Sequence, residues 1–242
     1  MPTTQHPDHW RIDEPAPGTP GRVTDTDGRC RAIALNANPL ETPAAVERPD
    51  DGVAVIAWTG WFGVPDEQGV IPLDPRVWSD TGWAAFQAAC DAIAAKTDAG
   101  RGVWFRPHAR HVLGDAQRCR VAARAWADQG LRFGLLLEPA ALLTASMLDA
   151  AADHVARTIE ALGDSPALVG IVVSDIELIE RDAEPGPAAR TVPFGLGAIG
   201  PELFAEGLRL AGGVPAGVPL FAHAGAAPEA LAALPPGPAS PR

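Results

Sequence analysis

Tyrosine is absent from this chain of 242 residues, and the single lysine, Lys96, falls in a helix-forming segment, so no Walker-type lysine loop exists to hold a nucleotide phosphate. Cysteine is scarce. Cys30, Cys90 and Cys119 are odd in number and far apart, which excludes a disulfide framework and a zinc knuckle. No apolar run approaches the ~20 residues a membrane-spanning helix needs, and the N-terminus lacks the basic start and apolar stretch of a secretory signal. The expectation is a cytoplasmic protein without a membrane partner. Basic residues are also in deficit, at 19 Lys and Arg against 30 Asp and Glu, and the net charge of −11 repels nucleic-acid backbones. Abundant Ala, Arg, Gly and Pro, with no Tyr, reads as base composition more than as function.

Nearly half of the chain is apolar and a fifth is charged, as expected of a globular protein with a real core. Residues 1–28 carry Pro, Thr, Asp and Gly without a period and are expected to form an irregular lead-in, followed by one α/β domain over 29–234 and a disordered tail over 235–242. Within the domain, short apolar runs at 31–35, 53–58, 103–105, 133–137, 168–173 and 218–221 read as buried strands. They alternate with helical periods at 80–96, 116–129, 144–162 and 200–211. Asp115 can cap the second of these helices and Gly130 can stop it. Such alternation predicts parallel strands joined by crossovers, as a barrel or as an open doubly wound sheet.

The segment from Gly102 to Pro139 concentrates the ionisable chemistry: one strand opens into Arg106, His108, Arg110 and His111, and the next ends on Glu138. Asp175 and Glu177 follow another strand, and His223 follows the last. Polar tips at the ends of parallel strands are where such folds hold ligands. Trp61 lies in an aromatic loop at the end of its own strand. Gly195-Leu196-Gly197-Ala198-Ile199-Gly200 fits a dinucleotide-binding spacing, but no clear strand precedes it and no acidic residue follows at the required distance, so a tight turn is the better reading.

From Val103 onward the order of motifs resembles the xylose-isomerase-like TIM-barrel superfamily, which includes sugar-phosphate isomerases, epimerases and endonuclease IV. FRPHARH resembles its Glu-Pro-His strand, FGLLLEPAALL its Leu-Asp-Pro-Gly-His strand, and GIVVSDIE its His-x-Lys-Asp strand. PFGLGAIG and the helix and strand that follow resemble its closing Gly-x-Gly loop. The resemblance implies a TIM-barrel-like α/β fold, incomplete or open because the N-terminal hundred residues are short for three strand–helix units. Its edges would then need cover from the lead-in or from a partner chain.

The resemblance also implies an isomerase or epimerase acting on a small carbohydrate-type substrate, with a divalent metal. At the positions of the family's four ligands the chain has Arg106, Glu138, Val172 and Ala222, so the site is either relocated or lost. In the relocated form His108, His111 and Glu138 are the catalytic candidates, and Arg106, Arg110 and Trp61 bind substrate, the arginines anchoring a phosphate or carboxylate. Glu138, Asp175 and His223 would hold manganese, zinc or magnesium. The alternative is a catalytically inactive barrel, a pseudoenzyme, that binds a ligand or a protein. The partner expected of the first reading is a small-molecule substrate, a nucleic acid is expected in neither, and an oligomer is compatible with the sequence.

Overall fold

The computed structural model describes residues 9–14, 20–46, 52–67, 69–181, 184 and 186–235. Its strands are β1 (His9–Asp13), β2 (Gly21–Thr24), β3 (Cys30–Ala34), β4 (Ala54–Trp58), β5 (Val103–Arg106), β6 (Gly134–Leu137), β7 (Leu168–Ile179), β8 (Ala188–Pro193) and β9 (Leu220–His223). Eight of them close into a barrel in the order β1-β2-β3-β4-β5-β6-β7-β9, with β9 pairing back onto β1 and β6 joined to β7. Seven run parallel. β2 alone is antiparallel to both neighbours. The outer half of β7 extends past the barrel and pairs with β8 as an antiparallel hairpin, from Ser174 opposite Pro193 to Ile179 opposite Ala188.

Closure corrects the expectation of an incomplete or open barrel, and the segment expected to be an irregular lead-in supplies it. Residues 9–13 and 21–24 are strands with one clean face: Trp10, Ile12 and Val23 turn inward while Arg11 and Arg22 turn to solvent. Among the described residues no helix covers β1, β2 or β3, so these strands need only one apolar face, and β1 and β2 read as alternation rather than as apolar runs. Residues 1–8, 15–19 and the tail 236–242 lie outside the described residues.

The barrel interior is filled, not hollow. Trp10, Trp104 and Phe221 meet there edge to face, with ring centroids 5.0 Å apart for Trp10–Phe221 and 6.3 Å for Trp104–Phe221. Ala32, Ala34 and Ala54 on β3 and β4 leave room for these large rings. Gly170 on β7 serves the same end, because a Cβ there would lie 2.1 Å from the Phe221 ring.

The outer faces of β4–β7 and β9 pack against five helices: α1 (Asp80–Ala94), α2 (Ala116–Asp128), α3 (Ala151–Leu162), α4 (Gly200–Leu210) and α5 (Pro228–Ala232). Phe86, Cys90 and Ile93 on α1 fall at helical spacing on one face and are buried against Phe105 and Trp126. Asp115 caps α2 by accepting a hydrogen bond from the Arg118 amide at 2.7 Å. The helix expected from Thr144 starts as a 3-10 turn over Ala145–Ala150 and becomes α3 only at Ala151. Among the described residues no helix is long and apolar enough to cross a membrane.

Replacing Gly170 with Val forces a branched side chain into the Phe221 ring, and the overpacked barrel is expected to lose about 1–3 kcal/mol of stability. Urea denaturation of the purified variant measures this; an unchanged midpoint would show the interior to be looser than its packing indicates.

Candidate functional site

Strand parity decides which side chains reach the barrel mouth. Ile12, Ile56, Trp104, Leu136, Val172 and Phe221 line the interior. Two residues further along each strand stand Glu14, Trp58, Arg106, Glu138, Ser174 and His223, so the same pleat that buries the core sends this layer to the C-terminal end of the barrel.

Arg106 is 3 % exposed and sits among two carboxylates and an imidazole. Its Nε donates to Glu138 Oε2 at 2.5 Å and its Nη1 to Glu14 Oε1 at 2.8 Å. His223 Nδ1 lies 2.8 Å from Glu14 Oε1, and its Nε2 lies 3.1 Å from Glu138 Oε1 and 3.3 Å from Arg106 Nη2. A guanidinium only donates, so a proton on Nε2 can be donated only to Glu138, and both ring nitrogens face carboxylate oxygens. Burial alone would lower the His223 pKa, but its hydrogen bonds to Glu138 and Glu14 outweigh that and raise it. With His223 protonated, the cluster holds two positive and two negative charges. Trp58 closes it from one side, its ring centroid 4.6 Å from the Arg106 guanidinium carbon.

Glu138 is fully buried, which by itself would raise its pKa; Arg106 and His223 reverse this and hold it well below the carboxylate range. Glu14 is likewise held down, to about 2, by Arg106 and His223 against the cost of burial. Its side chain remains 42 % exposed, so solvent screens its share of the attraction. Carboxylates locked this way are poor proton acceptors.

On the other side of Trp58 lies a cleft of about 300 Å³, lined by Trp58, Trp61, Ile71, His108, Arg110 and His111, with Ala189 and Thr191 of β8 as its outer wall. Its floor is pinned by backbone bonds from Ala109 to Ala141, from His111 to His108 and from Val112 to Gly60. Asn38 clamps Trp61 by donating to its carbonyl at 2.9 Å and accepting from its amide at 3.3 Å. His111 stacks on Trp61 with centroids 5.1 Å apart and meets the edge of Trp58 at 5.3 Å. It is fully buried, and neither ring nitrogen has a partner among the described residues. Burial holds its pKa well below the ordinary value and brings that of His108 down to about 4, so both rings are neutral near pH 7. His108 Nδ1 accepts from the Arg110 amide at 3.1 Å, which puts the His108 proton on Nε2.

The chain matches no family model, no curated protein and no solved structure.

Of the candidates read from the sequence, Arg106, Glu138 and His223 come together in the charged cluster, and Trp61, His108, Arg110 and His111 in the cleft. Asp175 joins neither. One residue out of phase with Ser174, it turns outward and accepts from the amides of Ile176, Ile199 and Gly200 at 2.9, 2.8 and 3.1 Å. The glycine-rich loop is thus a turn wrapped around this carboxylate, and Gly197 has no room for a Cβ, which would lie 2.6 Å from Asp175 Oδ1. For a divalent ion on Glu138, Asp175 and His223 the residues do not fit, because the Arg106 guanidinium is paired with Glu138 and lies 3.3 Å from His223 Nε2, and Asp175 is committed to the loop. Among the described residues no group of three or more His, Cys, Asp or Glu is placed to hold a metal.

The arginines expected to anchor a phosphate or carboxylate are also already paired, Arg106 as above and Arg110 with Glu184. Glu14, Asn38 and Glu184 went unrecognised in the sequence. For Glu14 the signal was the alternation of Trp10, Ile12 and Glu14; for the other two, in loops, no local pattern exists.

Glu138→Gln leaves a buried guanidinium short of its main counter-charge and is expected to cost about 3–5 kcal/mol in chemical denaturation. Glu14→Gln, at a half-exposed position, is expected to cost under about 1 kcal/mol. Equal losses would show that the two carboxylates share the charge evenly.

The histidines set a pH dependence of opposite signs. His108, with a folded pKa of about 4 against an ordinary 6.5, withdraws stability as pH falls from about 6.5 toward 4, because the unfolded chain takes up the proton first. His223, with a raised folded pKa, contributes fully below 6.5 and loses that contribution as pH rises through its folded value. Thermal midpoints are expected to peak near pH 6.5. His108→Gln is expected to flatten the acid limb and His223→Gln the alkaline one; a profile unchanged in either variant would contradict the assignment.

Proposed function

We propose that the barrel mouth takes up a small, hydroxylated, carbohydrate-type ligand in the cleft between Trp58 and Trp61, and that His108 and His111 act on its hydroxyl and C–H protons as neutral imidazoles, in the manner of an isomerase or epimerase. The observation that carries the reading is His111. A fully buried ring with two unpartnered nitrogens on the wall of a cleft is costly unless a ligand or water supplies the missing partners. Trp58 and Trp61 offer apolar faces of the kind that sugar rings cover, and Asn36 and Thr191 add polar groups at the rim.

The xylose-isomerase-like assignment rests on the four motifs and on a closed eight-stranded barrel whose polar strand tips meet at one end. The antiparallel β2 and the helix-free β1–β3 side set this barrel apart from a regular (β/α)8 unit. One observation favours the alternative of a barrel that binds without turnover: Arg106 holds Glu138, so neither that carboxylate nor a metal at its place is at hand for enediol chemistry.

Incubation of aldoses such as D-xylose and D-glucose with the protein in deuterium oxide separates the two. An isomerase or epimerase exchanges the hydrogen on the carbon beside the carbonyl, which proton NMR detects. Exchange is expected to fall about a hundredfold or more in His108→Gln and His111→Phe. Saturable quenching of tryptophan fluorescence without exchange would establish binding alone, and the absence of both signals would refute a carbohydrate site.

A further inference from the structure

Among the described residues, the cations around the cleft are each met by a carboxylate. Arg110, on the cleft wall, donates through Nη1 and Nη2 to the two oxygens of Glu184 at 2.9 and 2.6 Å, and through Nη1 to the Ile71 carbonyl at 2.7 Å. Both side chains of this fork are about nine-tenths buried. Arg181 continues the network, 3.0 Å from Glu184 Oε1 and paired with Asp66, so two positive and two negative charges again cancel. At the rim Arg190 pairs with Glu177 at 2.7 Å. Behind Trp58, Arg106 faces Glu138 and Glu14. Among the described residues, the buried side-chain atoms of the cleft that lack a partner are uncharged, the two nitrogens of neutral His111. At long range the chain's charge of −11 repels anions as well.

We propose that this site selects an uncharged hydroxylated ligand against its phosphorylated or carboxylated counterpart, and that Glu184 is the residue that sets the choice by cancelling Arg110. The inference rests on the carbohydrate-type site proposed above and adds the ligand's charge to it. An anion entering the wild-type cleft has to displace a bidentate carboxylate from Arg110 or stand unpaired among two indoles and two neutral imidazoles, and either is costly. A hydroxyl group needs neither, since neutral His111 offers one donor and one acceptor.

The test is isothermal titration of the full-length protein with D-xylose, D-glucose and inositol against xylonate, glucuronate and inorganic phosphate. Wild type is expected to bind at least one neutral probe and none of the anions, with neutral binding lost in His111→Phe. Glu184→Gln frees the Arg110 guanidinium and is expected to raise affinity for glucuronate or xylonate by about tenfold or more. The double variant Arg110→Gln/Glu184→Gln removes both charges and is expected to return the neutral preference, which separates a charge effect from a loosened fold. Anions that bind wild type as tightly as the neutral probes, or a Glu184→Gln variant that folds but gains nothing for them, would overturn the charge selection and leave the site reading standing. Absence of binding by every probe to wild type and variants would overturn the site itself.

Discussion

A guanidinium buried near the axis of a barrel is tolerable only if its charge is met on the spot, and Arg106 makes that demand of three separate strand ends. Glu138 comes from β6, His223 from β9, and Glu14 from the residue that follows β1. β1 and β9 are the strands whose pairing closes the barrel. Closure and charge compensation are therefore one event: the N-terminal strand that removes the open edge also carries the second carboxylate to the mouth. A barrel that failed to close would keep Arg106 and Glu138 together but would lose the outer carboxylate and the alignment of His223 against it.

Trp58 divides the mouth into two regions with different physics. On its inner side the charges are fixed and mutually satisfied, which makes them rigid and chemically quiet: the carboxylates are held too acidic to take a proton and the guanidinium cannot release one. On its outer side stand two indoles and two neutral imidazoles, with the charge of Arg110 met by Glu184, and His111 is short of hydrogen-bond partners. Binding capacity belongs to the second region, because only unmet hydrogen-bonding potential can be filled by a ligand at a gain. The charged layer serves it indirectly, by fixing Trp58 through the contact with Arg106 and so fixing the wall against which His108 and His111 stand.

What the sequence made legible follows the same physics. β4 to β7 and β9 are covered on both faces or nearly so, and their continuous apolar runs stand out, as do the helices that cover them. β1, β2 and β3 face solvent on the outside, and the first two are short alternating segments among Pro and Gly that a search for apolar runs passes over. β8 pairs with the projecting end of β7 and buries only its first residue, so no apolar run marks it. Glu138, His108, His111 and His223 were visible as polar groups at strand ends. Arg106 was visible in the same way, but Glu14 was not, because it is 92 positions from Arg106 and only barrel closure brings the two together.

Asp175 shows why a list of polar strand ends is not yet a site. It stands in the same kind of place as Glu138, just beyond a buried apolar run, yet the pleat gives the inward position to Ser174 and sends Asp175 to the other face. There it meets the backbone amides where the glycine-rich loop enters α4, the kind of amide cluster that holds a phosphate in nucleotide-binding folds. The geometry of that loop is real, and the anion it binds is supplied by the chain itself. A displacement of one residue in β7 would exchange the two roles, placing a third carboxylate beside Glu138 and leaving the loop without its anchor. Parity along the strand, more than residue type, is thus what separates a member of the charged mouth from a structural anchor on the far side of the same sheet.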